Sequence, residues 1–274
     1  MKKNIIFVVN PISGDLDKSD LLQAVKEFSD ANNFNMAVYE TTGEKDIPAI
    51  QSLYAKYKPA RIVVAGGDGT IKMVAEAVEK HDVILGILPA GSANGLAVDL
   101  NLPTVLEENL KVAFLNNFIE MDMISINGKK CIHLSDIGIN ADLVKNYEEG
   151  GTRGLWGYAI QAYATLKDSE EPFVANVTAN EQTIEHTARM IVIANSQKYG
   201  TGVTINPNGS MNDGKFELII LKSLDIVLLG KIIVGNMPID SDDIVIVSTE
   251  QAVIKTDRPI NFQIDGEYCG AQDE

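Results

Sequence analysis

Residues 61–78 read RIVVAGGDGTIKMVAEAV, and this stretch decides the fold. The β-branched run over 61–65 predicts a buried strand, the apolar spacing over 71–78 predicts a helix, and a glycine-rich turn joins them. A strand followed at once by a helix is typical of a parallel α/β sheet. The alternation repeats on both sides, with predicted strands at 5–9, 36–39 and 83–88 and predicted helices over 21–28, 47–54 and 106–115.

From about residue 118 the pattern changes to short alternating apolar runs separated by turn residues. Asn127-Gly128 is a hairpin signal between runs at 121–127 and 131–134. Further strands are predicted at 173–178, 190–194, 216–221, 243–248 and 260–264, and helices around 155–166. Because 274 residues exceed what one core usually supports, we predict two domains. Residues 1–120 form an α/β domain with a parallel sheet, and residues 121–274 form a mainly antiparallel β domain.

The composition of the chain limits which partners it can bind and in which compartment it is expected. The net charge of −15 comes from 38 acidic and 23 basic residues, which argues against nucleic acid because its phosphates demand clustered Lys and Arg. Two cysteines, Cys131 and Cys269, are too few for a disulfide framework, so a cytoplasmic protein is expected. The first apolar run is interrupted at Asn10 and Pro11, and the apolar stretch 226–235 is too short to span a bilayer. No transmembrane segment is predicted.

Three glycine-rich turns follow predicted strands, at 10–14 (NPISG), 66–70 (GGDGT) and 89–95 (PAGSANG). Because the carboxyl ends of parallel strands meet at one edge of a sheet, these turns are expected to converge there. Glycines let the backbone approach a ligand closely, and the helix that begins near Thr70 offers unpaired amides to a phosphate. Asp68 would repel a bare phosphate, so a magnesium ion or a proton is expected beside it. On spacing alone, ordinary tight turns are the alternative.

Residues 209–215 match the spacing G-x-x-x-x-G-K of a phosphate-binding P-loop, but they do not predict one. Phe216 stands where the P-loop needs Ser or Thr, and the residues that follow have the pattern of a strand instead of a helix. The functional prediction therefore depends on the three turns.

Four motifs, in order, resemble the catalytic domain of the diacylglycerol kinase and sphingosine kinase family, which includes soluble bacterial lipid kinases. They are NPxSG at 10–14, GGDGT at 66–70, PAGSxN at 89–94 and DGEY at 265–268. GGDGT alone also occurs in NAD kinases, whereas the four-part order is specific. The resemblance implies an NAD kinase/diacylglycerol kinase-like fold with a nucleotide-binding first domain, a lipid-substrate second domain and an active site in the interdomain cleft. It also implies a lipid kinase that depends on ATP and Mg²⁺.

The resemblance further implies which residues act. Glu267 is expected to accept the proton of the lipid hydroxyl as that oxygen attacks the γ-phosphate. Asp68 is expected either to bind magnesium or to be a second acid–base partner. The residues expected to bind ATP are Asn10, Pro11, Ser13, Gly14, Thr41, Gly66, Gly67, Asp68, Gly69, Thr70, Ser92 and Asn94.

Asp213 matches a family aspartate at a magnesium site, which backbone oxygens of Ser210 and Lys215 would complete. One carboxylate together with carbonyls and waters suits a hard cation. The pair Asp213-Gly214 is equally typical of a hairpin turn, which is the structural alternative. Asp122 resembles another recurring acid of the family, for which an ion pair is at least as well supported as catalysis.

The sequence departs from the family pattern in three places. Gly95 follows the Asn of the third turn where diacylglycerol kinases have Asp, and Lys72-Met73 stands where an Asn-Glu pair is common. Relatives continue well past the Asp-Gly-Glu motif, whereas this sequence ends seven residues after Glu267, so domain closure is expected to differ.

Two other functions stay open at this stage. One is a kinase of a soluble substrate such as NAD, and the other is a nucleotide-binding homologue that has lost its activity. The lipid, homo-oligomerisation and peripheral association with a membrane are also left open.

Overall fold

The structure is a computed structural model that describes residues 3–14, 18–92, 94–139, 141, 171–198, 204–223 and 242–274. The chain divides into two compact units, Met1–Ile119 and Glu120–Glu274, which are described separately. The helices predicted around 155–166 and the apolar stretch 226–235 lie outside the described residues. Among the described residues, no helix is both long and apolar enough to cross a bilayer.

The first unit is built on a parallel sheet of four strands in the order β2-β1-β3-β4. The strands are β1 (Lys3–Val9), β2 (Phe34–Glu40), β3 (Arg61–Gly66) and β4 (Ile84–Pro89). β1 and β3 are central and almost continuously buried, as expected of parallel strands covered by helices on both faces. The predicted α/β domain with its parallel sheet is confirmed.

The described residues of this unit also form five helices: α1 (Lys18–Ala31), α2 (Asp46–Tyr57), α3 (Asp68–Val78), α4 (Gly95–Asp99) and α5 (Leu106–Leu115). One core cluster joins Phe7 and Val63 of the sheet to Val25 of α1 and Phe114 of α5. The four helices that the apolar spacing predicts are present. The sequence does not predict α4, because five residues are too few to show helical spacing.

The strand order reverses between β1 and β3, since β2 lies on one side of β1 while β3 and β4 lie on the other. In open α/β sheets, ligands bind at the carboxyl ends of the strands where the order reverses. The turns after β1 and β3 are those of Asn10 and Gly67, so the fold places two of the predicted motifs at this point.

The second unit is an antiparallel β structure. A sheet of six strands has the order β12-β11-β10-β7-β14-β15, a sheet of three has the order β13-β8-β9, and β5 pairs with β6. The strands are β5 (Ile124–Ile126), β6 (Lys129–Cys131), β7 (Leu134–Gly138), β8 (Phe173–Ala179), β9 (Gln182–Ala188), β10 (Met190–Ala194), β11 (Phe216–Leu221), β12 (Ile244–Thr249), β13 (Ala252–Thr256), β14 (Ile260–Ile264) and β15 (Glu267–Gln272). The predicted antiparallel character is confirmed.

The two larger sheets of this unit share a core. Phe173 and Val177 of β8 belong to the same buried cluster as Ile193 of β10, Leu218 of β11 and Phe262 of β14. The alternating burial of β8 shows one face turned to this core and one turned away. Packing of the two faces makes the unit a sandwich.

Some strands differ from the prediction. β9, β13 and β15 are additional, and the run predicted over 131–134 is divided between β6, which ends at Cys131, and β7, which begins at Leu134. The hairpin at Asn127-Gly128 is confirmed, with φ of 49° and 81° at its two central residues. The residues after 209–215 form the strand β11, as the sequence pattern predicts.

Candidate active site

The predicted turns leave the carboxyl edge of the parallel sheet side by side. Three backbone amides extend the ladder beyond the strands: Asn10 N–H donates to Ala65, Thr41 to Val9 and Ala90 to Gly66, each at 2.9 Å. Asn10, Thr41 and the turns after β3 and β4 therefore lie along one edge of the sheet.

Side chains then tie the turns to one another. Asn10 Nδ2 donates to Thr70 Oγ1 at 3.1 Å, which links the first turn to the start of α3. Ser13 Oγ donates to the carbonyl of Ala90 at 2.9 Å, which links the first turn to the third. The predicted convergence of the three turns is confirmed.

Glycines allow these turns to touch through their backbones. A Cβ atom on Gly91 would lie 2.4 Å from Cα of Gly67, and one on Gly14 would lie 2.9 Å from the carbonyl oxygen of Ala90. Gly14 also has a φ of 63°, in the left-handed region that favours glycine. Any larger residue at Gly91 would push the second and third turns apart.

Asp68 holds the third turn in place. Its Oδ2 accepts the amide of Gly95 at 2.8 Å and its Oδ1 accepts the amide of Leu96 at 3.1 Å. These are first-turn amides of α4, which have no acceptor within their own helix, so the carboxylate caps α4 from another element. Both oxygens of Asp68 thus have a structural task, and its predicted role beside magnesium or a proton stays a prediction.

The start of α3 has the properties of an anion site. The helix is preceded by Gly67, which has no side chain, and its first turn contains Asp68, Gly69 and Thr70, of which the Thr70 amide donates to the carbonyl of Gly67 at 3.0 Å. The first amides of a helix have no intrahelical acceptor and carry the positive end of the helix dipole. A phosphate group of a nucleotide is a matching ligand.

The remaining predicted ATP-binding residues differ in their surroundings. Pro11 and Ser92 are exposed at the edge of the cluster. Asn94 is engaged within its own turn, because its Oδ1 accepts the amide of Gly91 and its Nδ2 donates to the carbonyl of Gly91, both at 2.8 Å. Asn94 therefore shapes the third turn, while contact with ATP stays a prediction for all three residues.

Lys18 also belongs to this cluster, although no sequence motif includes it. Its Nζ donates to the carbonyl of Ala90 at 2.9 Å, and the side chain is almost fully buried. A lysine at the start of an amphipathic helix ordinarily lies in solvent, so only the folded structure reveals its position.

In the second unit, Glu267 is exposed at the first position of β15. The two residues before it, Asp265 and Gly266, form a tight turn with φ of 50° and 84°, and Ile264 pairs with Glu267 across it. Such a turn fixes the direction in which the next side chain leaves the strand. Glu267 is therefore presented to solvent from a defined turn.

Asp265 anchors that turn to the neighbouring loop. Its Oδ1 accepts the amide of His133 at 2.9 Å and the thiol of Cys131 at 3.3 Å, and its Oδ2 accepts the amide of Ile132 at 3.2 Å. The first residue of the Asp-Gly-Glu motif thus has a structural role that the sequence does not reveal.

Gln263 holds this turn through hydrogen bonds of its side chain. Its Oε1 accepts the amide of Gly266 at 2.7 Å, and its Nε2 donates to the buried carboxylate of Asp136. Ser135 Oγ donates to the carbonyl of Gln263. Two elements of the sheet, β7 and β14, therefore hold the turn that carries Glu267.

The predicted magnesium residues lie in the turn before β11. Asp213 is exposed and its Oδ1 accepts the amide of Lys215 at 3.0 Å, while Ser210 Oγ donates to Asn212 Oδ1 at 2.8 Å. Asp122 reaches the same turn, where its Oδ2 accepts the amide of Gly214 at 2.7 Å. Carboxylate and carbonyl oxygens suit Mg²⁺, which binds one or two carboxylates and keeps several waters, so the donors fit this ion.

Larger metal sites are not found in the described part of the chain. No group of three or more His, Cys, Asp or Glu side chains there is arranged to hold a metal ion. A bound Mg²⁺ would therefore need backbone oxygens, water or ligand phosphates to complete its coordination.

The second unit also contains a pocket of about 190 Å³ that is partly open to solvent. Its lining is mostly apolar and includes Ile193 and Phe262, but Asn127, Asp273 and Glu274 also line it. Its apolar part offers room for a short stretch of hydrocarbon chain.

Both units match known domain families. Residues 4–126 match the diacylglycerol kinase catalytic domain, and residues 138–273 match the YegS C-terminal NAD kinase beta sandwich-like domain. The chain thus carries a diacylglycerol kinase catalytic domain followed by a YegS C-terminal domain. The resemblance predicted from the four motifs is confirmed, and these matches support a kinase.

Individual relatives agree with this assignment. Proteins named probable lipid kinase YegS from Escherichia coli O1:K1 / APEC and from Shigella boydii serotype 18 are each 28% identical over 221 residues, covering 78% of this chain and 73% of the relative. A crystal structure of a diacylglycerol kinase from Bacillus anthracis str. Sterne matches with a TM-score of 0.80 at 23% sequence identity. The match covers 99% of this chain and 92% of the chain in that structure. At that identity the likeness shows the shared fold.

Proposed function

We propose that this kinase transfers the γ-phosphate of ATP to a hydroxyl group of a lipid. The observation that carries the proposal is the convergence of three glycine-rich turns on the start of α3, where Gly91 contacts Gly67 and Asn10 bonds to Thr70. This arrangement offers backbone amides to an anion without a covering side chain. ATP supplies such an anion and the phosphoryl group.

In the proposed reaction, the turns of the first unit bind the nucleotide and Glu267 is the catalytic base. The lipid oxygen forms a bond to the γ-phosphorus while the bond from that phosphorus to the β–γ bridging oxygen breaks. ADP leaves with the electron pair, and the hydroxyl proton passes to the carboxylate of Glu267. Mg²⁺, when bound by Asp213 and the backbone oxygens of Ser210 and Lys215, would neutralise phosphate charge.

Two observations support a lipid as the acceptor. The relatives that span most of this chain are named lipid kinases, and the second unit has a pocket of about 190 Å³ whose lining is mostly apolar. A lipid acceptor also agrees with the predicted division into a nucleotide-binding domain of residues 1–120 and a lipid-substrate domain of residues 121–274.

The decisive experiment is the transfer of labelled phosphate from ATP to a panel of extracted lipids in the presence of Mg²⁺. The Glu267→Gln variant keeps the size of the side chain and removes the base, so we expect turnover to fall by about 100-fold or more while nucleotide binding is kept. Glu250→Gln, at another exposed position of the same unit, is the matched control. Unchanged turnover in Glu267→Gln would show that another group takes the proton.

The same assay separates two other functions. A kinase of a soluble substrate such as NAD would leave labelled product in the aqueous phase and would need no detergent. The two backbone amides that donate to the Asp68 carboxylate favour an inactive nucleotide-binding homologue, because both oxygens already have a partner. Such a homologue would bind ATP without phosphorylating any lipid of the panel.

A further inference from the structure

Lys18 places a cation inside the cluster of glycine-rich turns. The residue is 7% exposed, and its Nζ donates to the carbonyl of Ala90 at 2.9 Å. The same carbonyl accepts the hydroxyl of Ser13 at 2.9 Å. The ammonium group is therefore fixed at the junction of the first and third turns and does not extend into solvent.

The charge of this ammonium is not balanced by an acid in the described part of the chain. No carboxylate there forms an ion pair with Lys18, although such pairs occur at the surface, for example between Lys111 and Glu107. Burial lowers the pKa of Lys18 from its ordinary value, because the charged form loses hydration. An anion bound nearby would offset that loss.

The position of Lys18 relative to the glycine loop identifies the kind of anion. Its acceptor, Ala90, directly precedes Gly91, and Gly91 is in backbone contact with Gly67 at the start of α3. An ammonium group has three donors, and one bond to Ala90 leaves two for another acceptor. Amides of α3 and an ammonium group around one cluster of turns form a typical environment for phosphate oxygens.

We propose that Lys18 is a nucleotide-binding residue that contacts the phosphate groups of ATP through Nζ. The assignment rests on the proposed function, since it takes ATP to be the ligand of the turns. It adds a positive charge to a set of predicted binding residues that otherwise offers amides, hydroxyls and a carboxylate. The alternative is that Lys18 serves only as a strut between α1 and the third turn.

The test compares the affinities of Lys18→Met and of the wild-type protein for ATP, ADP and adenosine. Methionine keeps the length and apolar stem of lysine but removes the charge. A contact with phosphate predicts that ATP and ADP bind about tenfold or more weakly, whereas adenosine binds with unchanged affinity. Lys26→Met, at an exposed position of the same helix, is the matched control, and Lys18→Arg is expected to restore part of the affinity.

Two outcomes would overturn the assignment. One is an unchanged affinity of Lys18→Met for ATP, and the other is an equal loss for ATP and adenosine, which a strut alone would cause. If Lys18→Met does not fold, the wild-type protein still gives a result, because the ¹³Cε resonance of Lys18 must shift with ATP and stay in place with adenosine. These are binding measurements, so an absence of phosphate transfer to lipid would refute the proposed function and leave this assignment separately testable.

Discussion

At the scale of single residues, Gly91 has the least space for a side chain among the glycines of the candidate site, because its backbone contacts that of Gly67. A Cβ on Gly91 would lie 2.4 Å from Cα of Gly67, whereas a Cβ on Gly67 would lie 3.2 Å from Cα of Gly91. Backbone atoms cannot move aside as the end of a flexible side chain can. The two alanine substitutions therefore give graded perturbations of one contact.

We expect Gly91→Ala to lower the free energy of unfolding by about 1–3 kcal/mol, the usual effect of overpacking. If the turns bind ATP as proposed, the substitution should also weaken that binding, because it separates the second and third turns. Gly67→Ala should also lower the free energy of unfolding and weaken binding, but by less than Gly91→Ala. Urea unfolding and nucleotide titration of both variants check this, and a larger loss of stability in Gly67→Ala would contradict the contact.

The sequence reveals some of these residues and conceals others for a physical reason. Glycine-rich turns after strands are local patterns, so Asn10, Gly14 and the loop around Gly67 could be predicted. The bond from Lys18 to Ala90 joins residues 72 positions apart, and the bond from Asp68 to Gly95 spans 27. Nothing in the local sequence of either residue indicates such a distant partner.

At the scale of elements, the turn between β2 and α2 depends on one carboxylate. Asp46, the first residue of α2, accepts the amides of Thr42 and Gly43 at 2.9 Å and the hydroxyl of Tyr39 at 2.7 Å. Burial tends to raise the pKa of Asp46, but these hydrogen bonds outweigh it and hold the pKa below its ordinary value. The ionised carboxylate thus stabilises the turn that begins at Thr41.

This lowered pKa predicts an acid-dependent loss of stability. The contribution of Asp46 is fully present above the pKa of an unfolded carboxyl, about 3.9, and is lost as the pH falls through the lower folded value. Asp46→Asn should therefore be less stable than wild type at pH 7 by about 1–3 kcal/mol, and the difference should shrink below about pH 4.

Chemical unfolding across that pH range measures the effect. Asp82→Asn, at an exposed position outside the helices and strands, is the control and should show no comparable loss of stability at pH 7. A constant difference between Asp46→Asn and wild type down to pH 2 would contradict the role given to the ionised carboxylate.

The strands that the sequence patterns did not predict have no clear run or alternation of buried apolar residues. β9 has only Ala188 buried among seven residues, because it is an edge strand with largely exposed side chains. β13 alternates between half-buried and exposed positions at the edge of the same sheet. Buried strands such as β3 and β10 could be predicted from continuous apolar runs, whereas edge strands depend on partners that the sequence does not show.

At the scale of the whole molecule, the net charge of −15 opposes approach to an anionic surface. If the acceptor is a lipid, that repulsion enters every encounter with an anionic membrane. Raising the salt concentration from about 0.01 M to about 0.1 M shortens the screening length from about 30 Å to about 10 Å. The long-range part of the repulsion should then largely disappear.

We therefore expect phosphorylation of a neutral lipid alcohol in anionic vesicles to increase severalfold over this salt range. The same alcohol in zwitterionic vesicles should show little change, which makes it the control. Saturating ATP is needed, because salt also weakens contacts between cations and phosphate. A rate that falls with salt in anionic vesicles alone would show that a local basic surface, and not the net charge, governs the encounter.

Asp265 accepts three hydrogen bonds from the loop that contains Ile132 and His133. Signals from that loop therefore report the position of the neighbouring Asp-Gly-Glu turn. Both amides bond to the same carboxylate, so their ¹⁵N resonances and deuterium exchange report whether that carboxylate keeps its position. A spectroscopist could follow the hairpin that carries Glu267 from these two signals when nucleotide or lipid is added, without attaching a label to the hairpin itself.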